Sequence, residues 1–309
     1  MFGIRALSMA FIGIIGCGIS LRRPYVGLLL LVILYFFRPD LWGAEKYVRP
    51  VQWLTVAVFI GWFWHRKPGQ DYRTARWLFA FLALYTVSTS LAPLTTLESW
   101  LVLKDIAKIF VVVFLITVIC DTPKKLAGVL WAVLLGNVWF VKVVLLSWAY
   151  MGYPAMVRID TAVGQGGGAN YIAWVLATTA PLLVYKIVQG RVLERFAALI
   201  LFPCWVTAIL VTGSRGGLVC LGVGLVVMLT TIRKFRLAVV VILAGVLLWQ
   251  FAPQERLQRA QTLTLDPKKM DLAMLSRYQN VKIGLKLAAK YPLFGTGLAL
   301  DSVDALELV

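Results

Sequence analysis

Residues 126–149 read LAGVLWAVLLGNVWFVKVVLLSWA, an unbroken apolar run whose single charge is Lys142. A helix rises 1.5 Å per residue, and a hydrocarbon core of about 30 Å takes roughly 20 residues to cross. This stretch is long enough to span. Working outward, charged boundaries mark off nine further runs near 2–21, 24–40, 48–64, 76–94, 101–120, 170–189, 193–212, 217–232 and 236–252. The second is the shortest in apolar content, since Pro24–Phe37 sits between Arg22-Arg23 and Arg38.

Composition agrees. The 309 residues are 61% hydrophobic and 15% charged, with a mean hydropathy of +0.83; soluble domains run near a quarter charged. The sequence therefore predicts an all-α, polytopic integral membrane protein with about ten transmembrane helices over 1–252, followed by a long outer-face segment, 253–309.

A net charge of +17 is first a topological signal in such a chain. One set of alternate loops holds Arg22, Arg23, Arg66, Lys67, Arg73, Arg76, Lys124, Lys125, Lys186, Arg191, Arg195, Arg233, Lys234 and Arg236. Those fourteen face seven on the other side, namely Arg5, Arg38, Lys46, Arg49, Lys104, Arg158 and Arg215. The richer set is expected to be cytoplasmic, which puts Arg158, Arg215 and everything after Pro253 outside. The tail breaks this rule by adding Arg256, Arg259, Lys268, Lys269, Arg277, Lys282, Lys286 and Lys290 to the charge-poor face; long segments translocate largely regardless of charge, and the excess calls for anionic membrane lipids as partners and gives no support to nucleic-acid binding. Within the tail, 271–291 reads as an amphipathic helix ended by Pro292. Tyr278, Val281, Leu285 and Ala288 form one stripe, with Lys282, Lys286 and Lys290 on another.

The sequence excludes much chemistry. Four cysteines (Cys17, Cys120, Cys204, Cys220) have no metal or disulfide spacing, and one histidine, His65, leaves no His-rich site. Gly-rich nucleotide loops, HExxH and Asp-x-Asp pairs are missing, so neither metal nor cofactor is expected. What stands out is Gly213-Ser214-Arg215-Gly216-Gly217, a tight turn between apolar runs with a guanidinium at its tip. An arginine at a helix end can simply snorkel. Its glycines instead favour an anion site, because they let a ligand approach backbone N–H groups beside a planar, always-charged fork.

That turn, followed by Ser276-Arg277-Tyr278-Gln279-Asn280 and then Tyr291-Pro-Leu-Phe-Gly-Thr-Gly297, resembles the bacterial O-antigen ligase and O-antigen polymerase family. Upstream, Arg22-Arg23-Pro24-Tyr25-Val26-Gly27, Lys142, Arg158 and Asn170 are similar to the O-glycosylation ligases found beside exosortase-type systems. The resemblance implies an inner-membrane glycosyltransferase whose active face is periplasmic. It moves a glycan from undecaprenyl pyrophosphate to lipid A core or another acceptor, without a metal. It implies substrate-binding roles for Arg215, Arg277, Ser214, Arg158, Asn170 and Lys142. Fixed arginines would stabilise the charge growing on the pyrophosphate leaving group.

Two departures stand against the pattern. Gly167-Gly168-Ala169-Asn170 replaces the subgroup's Asp-Asn-Asn, and the family's outer-loop histidine has no counterpart in the twelve residues after Gly297. The catalytic base is therefore unassigned, and the resemblance implies a C-terminally truncated product, a fragment or a diverged member, expected to bind donor but transfer glycan poorly. The rival class is a transporter or flippase for an anionic lipid-linked substrate, which Lys104, Asp105 and Lys108 would serve if they faced a water-filled passage.

Overall fold

The computed structural model describes residues 2–37, 49–66, 72–93, 96–151, 168–233 and 272–296, all helix and connecting turns with no strand among them. Ten helices follow: α1 (Phe2–Arg22), α2 (Pro24–Phe37), α3 (Pro50–Trp64), α4 (Arg73–Leu91), α5 (Leu97–Ile119), α6 (Pro123–Tyr150), α7 (Ala169–Gln189), α8 (Val192–Val211), α9 (Arg215–Thr231) and α10 (Leu272–Lys290). The apolar run at 236–252 and Arg158 lie outside the described residues.

By length and composition, α6, α7 and α8 are long and apolar enough to cross a membrane, and α2, α3, α9 and Ala10–Arg22 of α1 are shorter apolar helices. The helical set fits an integral membrane protein. Ten spans remain an expectation, because α4 and α5 each include charged residues within their length: Arg73 and Arg76 in one, Glu98, Lys104, Asp105 and Lys108 in the other. The chain divides into two compact units, Met1–Arg66 with Ile119–Gln250, and Lys67–Val118 with Phe251–Val309.

In the first unit small residues let backbones approach, the usual basis of helix association where lipid removes the hydrophobic drive. Gly27 of α2 and Gly61 of α3 both abut Ser20 of α1, whose buried hydroxyl donates to the Gly16 carbonyl at 2.6 Å. Gly136 of α6 lies against Phe36 and Ile33 of α2, and Gly128 against Tyr25. These pairings advance together along both chains, so α2 and α6 run parallel. The main core lies among α6, α7, α8 and α9, around fully buried Trp205, Phe140, Ile172, Leu176 and Leu183. There the Trp205 indole N–H donates to Thr179 Oγ1 at 3.1 Å, satisfying a donor that hydrocarbon would leave bare.

One end of this unit is closed by a polar staple. Glu194 Oε1, at the start of α8, accepts from Lys186 Nζ of α7 at 2.9 Å and from the Trp131 indole of α6 at 2.9 Å. Its Oε2 accepts from the Arg191 N–H at 3.1 Å. Lys186 is buried, and its ammonium also lies 5.4 Å from the Trp131 ring centroid. The starts of α2 and α6 meet through the Tyr25 hydroxyl, which donates to the Lys125 carbonyl at 3.1 Å. Among the described residues, Arg22, Arg23, Lys124, Lys125, Lys186, Arg191 and Arg195 thus collect at one end of the unit, and the helix ends bearing Arg49 and Arg215 carry fewer charges.

In the second unit α4 and α5 are antiparallel, with Phe79 5.4 Å from Phe114 and Tyr85 6.4 Å from Phe110 between ring centroids. Lys108 pairs with Asp105 at 2.7 Å on the exposed face of α5. Helix α10 ends where Tyr291 N–H bonds to Leu287 O at 2.8 Å, and a turn follows that is closed by Gly295 N–H to Tyr291 O at 3.1 Å. Gly295 has φ +67°, a conformation that favours glycine. The Ser88 hydroxyl of α4 donates to the Phe294 carbonyl at 2.8 Å, tying this turn to the last residues of α4.

Candidate functional site

The Gly213–Gly217 turn is built for rigidity. The Thr212 hydroxyl, fully buried, donates to the Ile209 carbonyl at 2.7 Å and accepts from the Ser214 N–H at 3.3 Å. Gly213 has φ +65°, which reverses the chain without the penalty a Cβ would bring. Ser214 is the N-cap of α9, its Oγ accepting from the Gly217 N–H at 3.2 Å. Arg215 follows as the first helical residue and is exposed.

The three glycines divide by role. Gly213 makes the turn. Gly217 faces α7: a Cβ built there would lie 2.6 Å from that of Ala173. One turn pair further on, Gly224 faces Pro181, with 3.0 Å from such a Cβ to Pro181 Cγ. Gly216, like Gly213, opens to space, with nothing within 4 Å of the same construction.

These contacts make α7 and α9 parallel and in step, so both begin at the same height. Asn170, three residues before Ala173, comes level with Ser214, three before Gly217, on the facing sides of the two helices. Gly168, the N-cap of α7, provides no capping side chain. Two helix starts therefore lie side by side, each carrying the partial positive charge of its unclosed N–H groups. An anion placed there meets both.

Not every expected residue joins this cluster. Arg215 leaves α9 about 200° around from Gly217, on the side away from α7. Lys142 is near the level at which α7 begins, since Phe140 meets Tyr171 with centroids 6.4 Å apart. It is exposed on the opposite side of α6, however, 5.3 Å from the Trp139 ring centroid. Arg277 belongs to the other unit, on the exposed surface of α10. Thr212 went unnoticed in the sequence; its only signal is a hydroxyl two residues ahead of an N-cap serine.

Residues 196–307 match the sequence model of the O-antigen ligase family. The matched stretch takes in most of α8, the Arg215 turn, α9 and α10, and therefore contains Ser214, Arg215 and Arg277. Asn170, Lys142 and Arg158 precede it. The match covers about a third of the chain and supports a likeness to the O-antigen ligase family and, broadly, glycan transfer of the ligase or polymerase type. No curated protein and no solved structure matches the chain.

Proposed function

We propose that this protein transfers a glycan from undecaprenyl pyrophosphate to lipid A core or another hydroxyl acceptor, at the periplasmic face of the bacterial inner membrane. The O-antigen ligase match that spans the Arg215 turn carries the reading. The local geometry supports it chemically. A diphosphate leaving group gains negative charge as the glycosidic bond breaks, and paired helix starts, with the guanidinium that opens α9, suit such charge without proton transfer or metal. Arg215 binds the diphosphate, with Ser214 and Asn170 at the two helix starts, and Arg277, Lys142 and Arg158 are the further donor-binding residues that the resemblance implies. The charge-poor end of the first unit then faces the periplasm and the staple end the cytoplasm, in keeping with the distribution of basic residues.

Polymerase and ligase share this donor and differ in acceptor. The transporter reading is weaker, since Lys108 is already neutralised by Asp105 at 2.7 Å. Reconstitution in liposomes with a lipid-linked oligosaccharide distinguishes the classes. The expected result is release of undecaprenyl pyrophosphate with the glycan on the acceptor, lost in Arg215→Ala. Movement of intact lipid-linked glycan between leaflets, with no glycosidic bond broken, overturns the proposal.

A further inference from the structure

Helix α10 has two apolar faces, and the chain covers one. Ile283 and Leu287 are buried, with Tyr291 packed against them. On the other side Tyr278, Val281 and Leu285 are 44%, 63% and 69% exposed. At 100° per residue these three fall within a sector about 60° wide. Lys282, Lys286 and Lys290 run along one flank of that sector and Arg277 lies beyond the other; all four are exposed. The far end of the helix is fixed in height, because the turn after it is bonded to Ser88, three residues before the end of α4. Helix α4 presents Trp77, Phe79, Phe81, Leu84 and Val87 outward, a surface suited to hydrocarbon.

We infer that α10 lies in the plane of the membrane and docks on anionic phospholipid, with Tyr278, Val281 and Leu285 in the acyl boundary and Lys282, Lys286 and Lys290 among the phosphates. An exposed apolar stripe flanked by cations has this surface as its complement. The lysines along one flank favour an anionic surface over a neutral one. The inference rests on the membrane character of the chain and is independent of glycan transfer.

The test uses the full chain in nanodiscs of phosphatidylcholine alone or with one third phosphatidylglycerol. An environment-sensitive fluorophore at Val281→Cys or Leu285→Cys, with Cys17, Cys120, Cys204 and Cys220 replaced by serine, should be quenched by brominated acyl chains in the anionic discs. Lys282→Gln with Lys286→Gln should lower the ratio of docked to undocked helix roughly 25-fold there, at about fivefold per lysine, and change it little in neutral discs. The unaltered chain gives a second measurement: photoactivatable phosphatidylglycerol should crosslink within residues 278–286. A fluorophore that stays open to aqueous quenchers overturns the inference. So does one shielded from water and bromolipid alike, which signals a protein partner, and so do crosslinks elsewhere on the chain with none in α10.

Discussion

Ala173 and Gly217 touch so closely that a methyl group added at Gly217 would sit 2.6 Å from the Ala173 Cβ. This contact sets the starts of α7 and α9 side by side, with Asn170 and Ser214 level with each other.

Gly217→Ala should wedge the two helices apart. The expected loss is about 1–3 kcal/mol, the usual range for overpacking, and it appears as a lower unfolding temperature in detergent. Ala173→Gly combined with Gly217→Ala should recover most of it. A double variant no better than the single one would show that the contact is not what holds the helices in step.

The staple makes a second prediction. Glu194→Ala leaves the buried Lys186 ammonium and the Trp131 indole without their shared acceptor. A partly exposed carboxylate in this role should be worth about 1–3 kcal/mol. Lys186→Met added to Glu194→Ala should restore part of the stability by removing the stranded charge. Thermal unfolding of the three proteins checks the order: wild type highest, double variant next, Glu194→Ala lowest.

Much of this architecture was legible beforehand, because apolar runs bounded by charge mark helices whatever their packing; α6 to α9 lie within a few residues of the expected runs. The Gly213–Gly217 turn was also visible, but the meaning of its glycines was not. Gly217 reads as room for a ligand until Ala173, 44 residues away, is placed against it. The level pairing of Asn170 with Ser214 likewise depends on α7 and α9 being parallel, which no local pattern encodes. In α10 the period was clear, yet two apolar stripes were available, and only tertiary packing decides that Ile283 and Leu287 turn inward.

Gly213 and Gly295, at φ +65° and +67°, should tolerate asparagine better than valine. Asn visits the left-handed region at modest cost, whereas a β-branched residue is strongly disfavoured there. Gly213→Val should reduce folded yield and donor binding together, and Gly213→Asn should leave both near wild type. Equal behaviour of the two variants in a size-exclusion and binding comparison counts against a strained turn.

The orientation proposed for the first unit predicts that cysteines placed at Gly216 and at Lys124 differ in labelling. In intact cells lacking the four native cysteines and with a permeable outer membrane, an impermeant maleimide should modify Gly216→Cys and spare Lys124→Cys until the inner membrane is opened. The reverse pattern would place the Arg215 turn in the cytoplasm.

The central claim is that Arg215 recognises a diphosphate, and Arg215→Lys tests it most directly. Lysine keeps the charge but loses the planar, two-pronged donor geometry. Affinity for undecaprenyl pyrophosphate, measured in nanodiscs against wild type, should fall on the order of tenfold to a hundredfold, the equivalent of about 1.5–3 kcal/mol for a charge-assisted contact, with the unfolding temperature unchanged. Equal affinity in the two proteins would contradict the account and leave Arg215 as a helix-end arginine reaching for water.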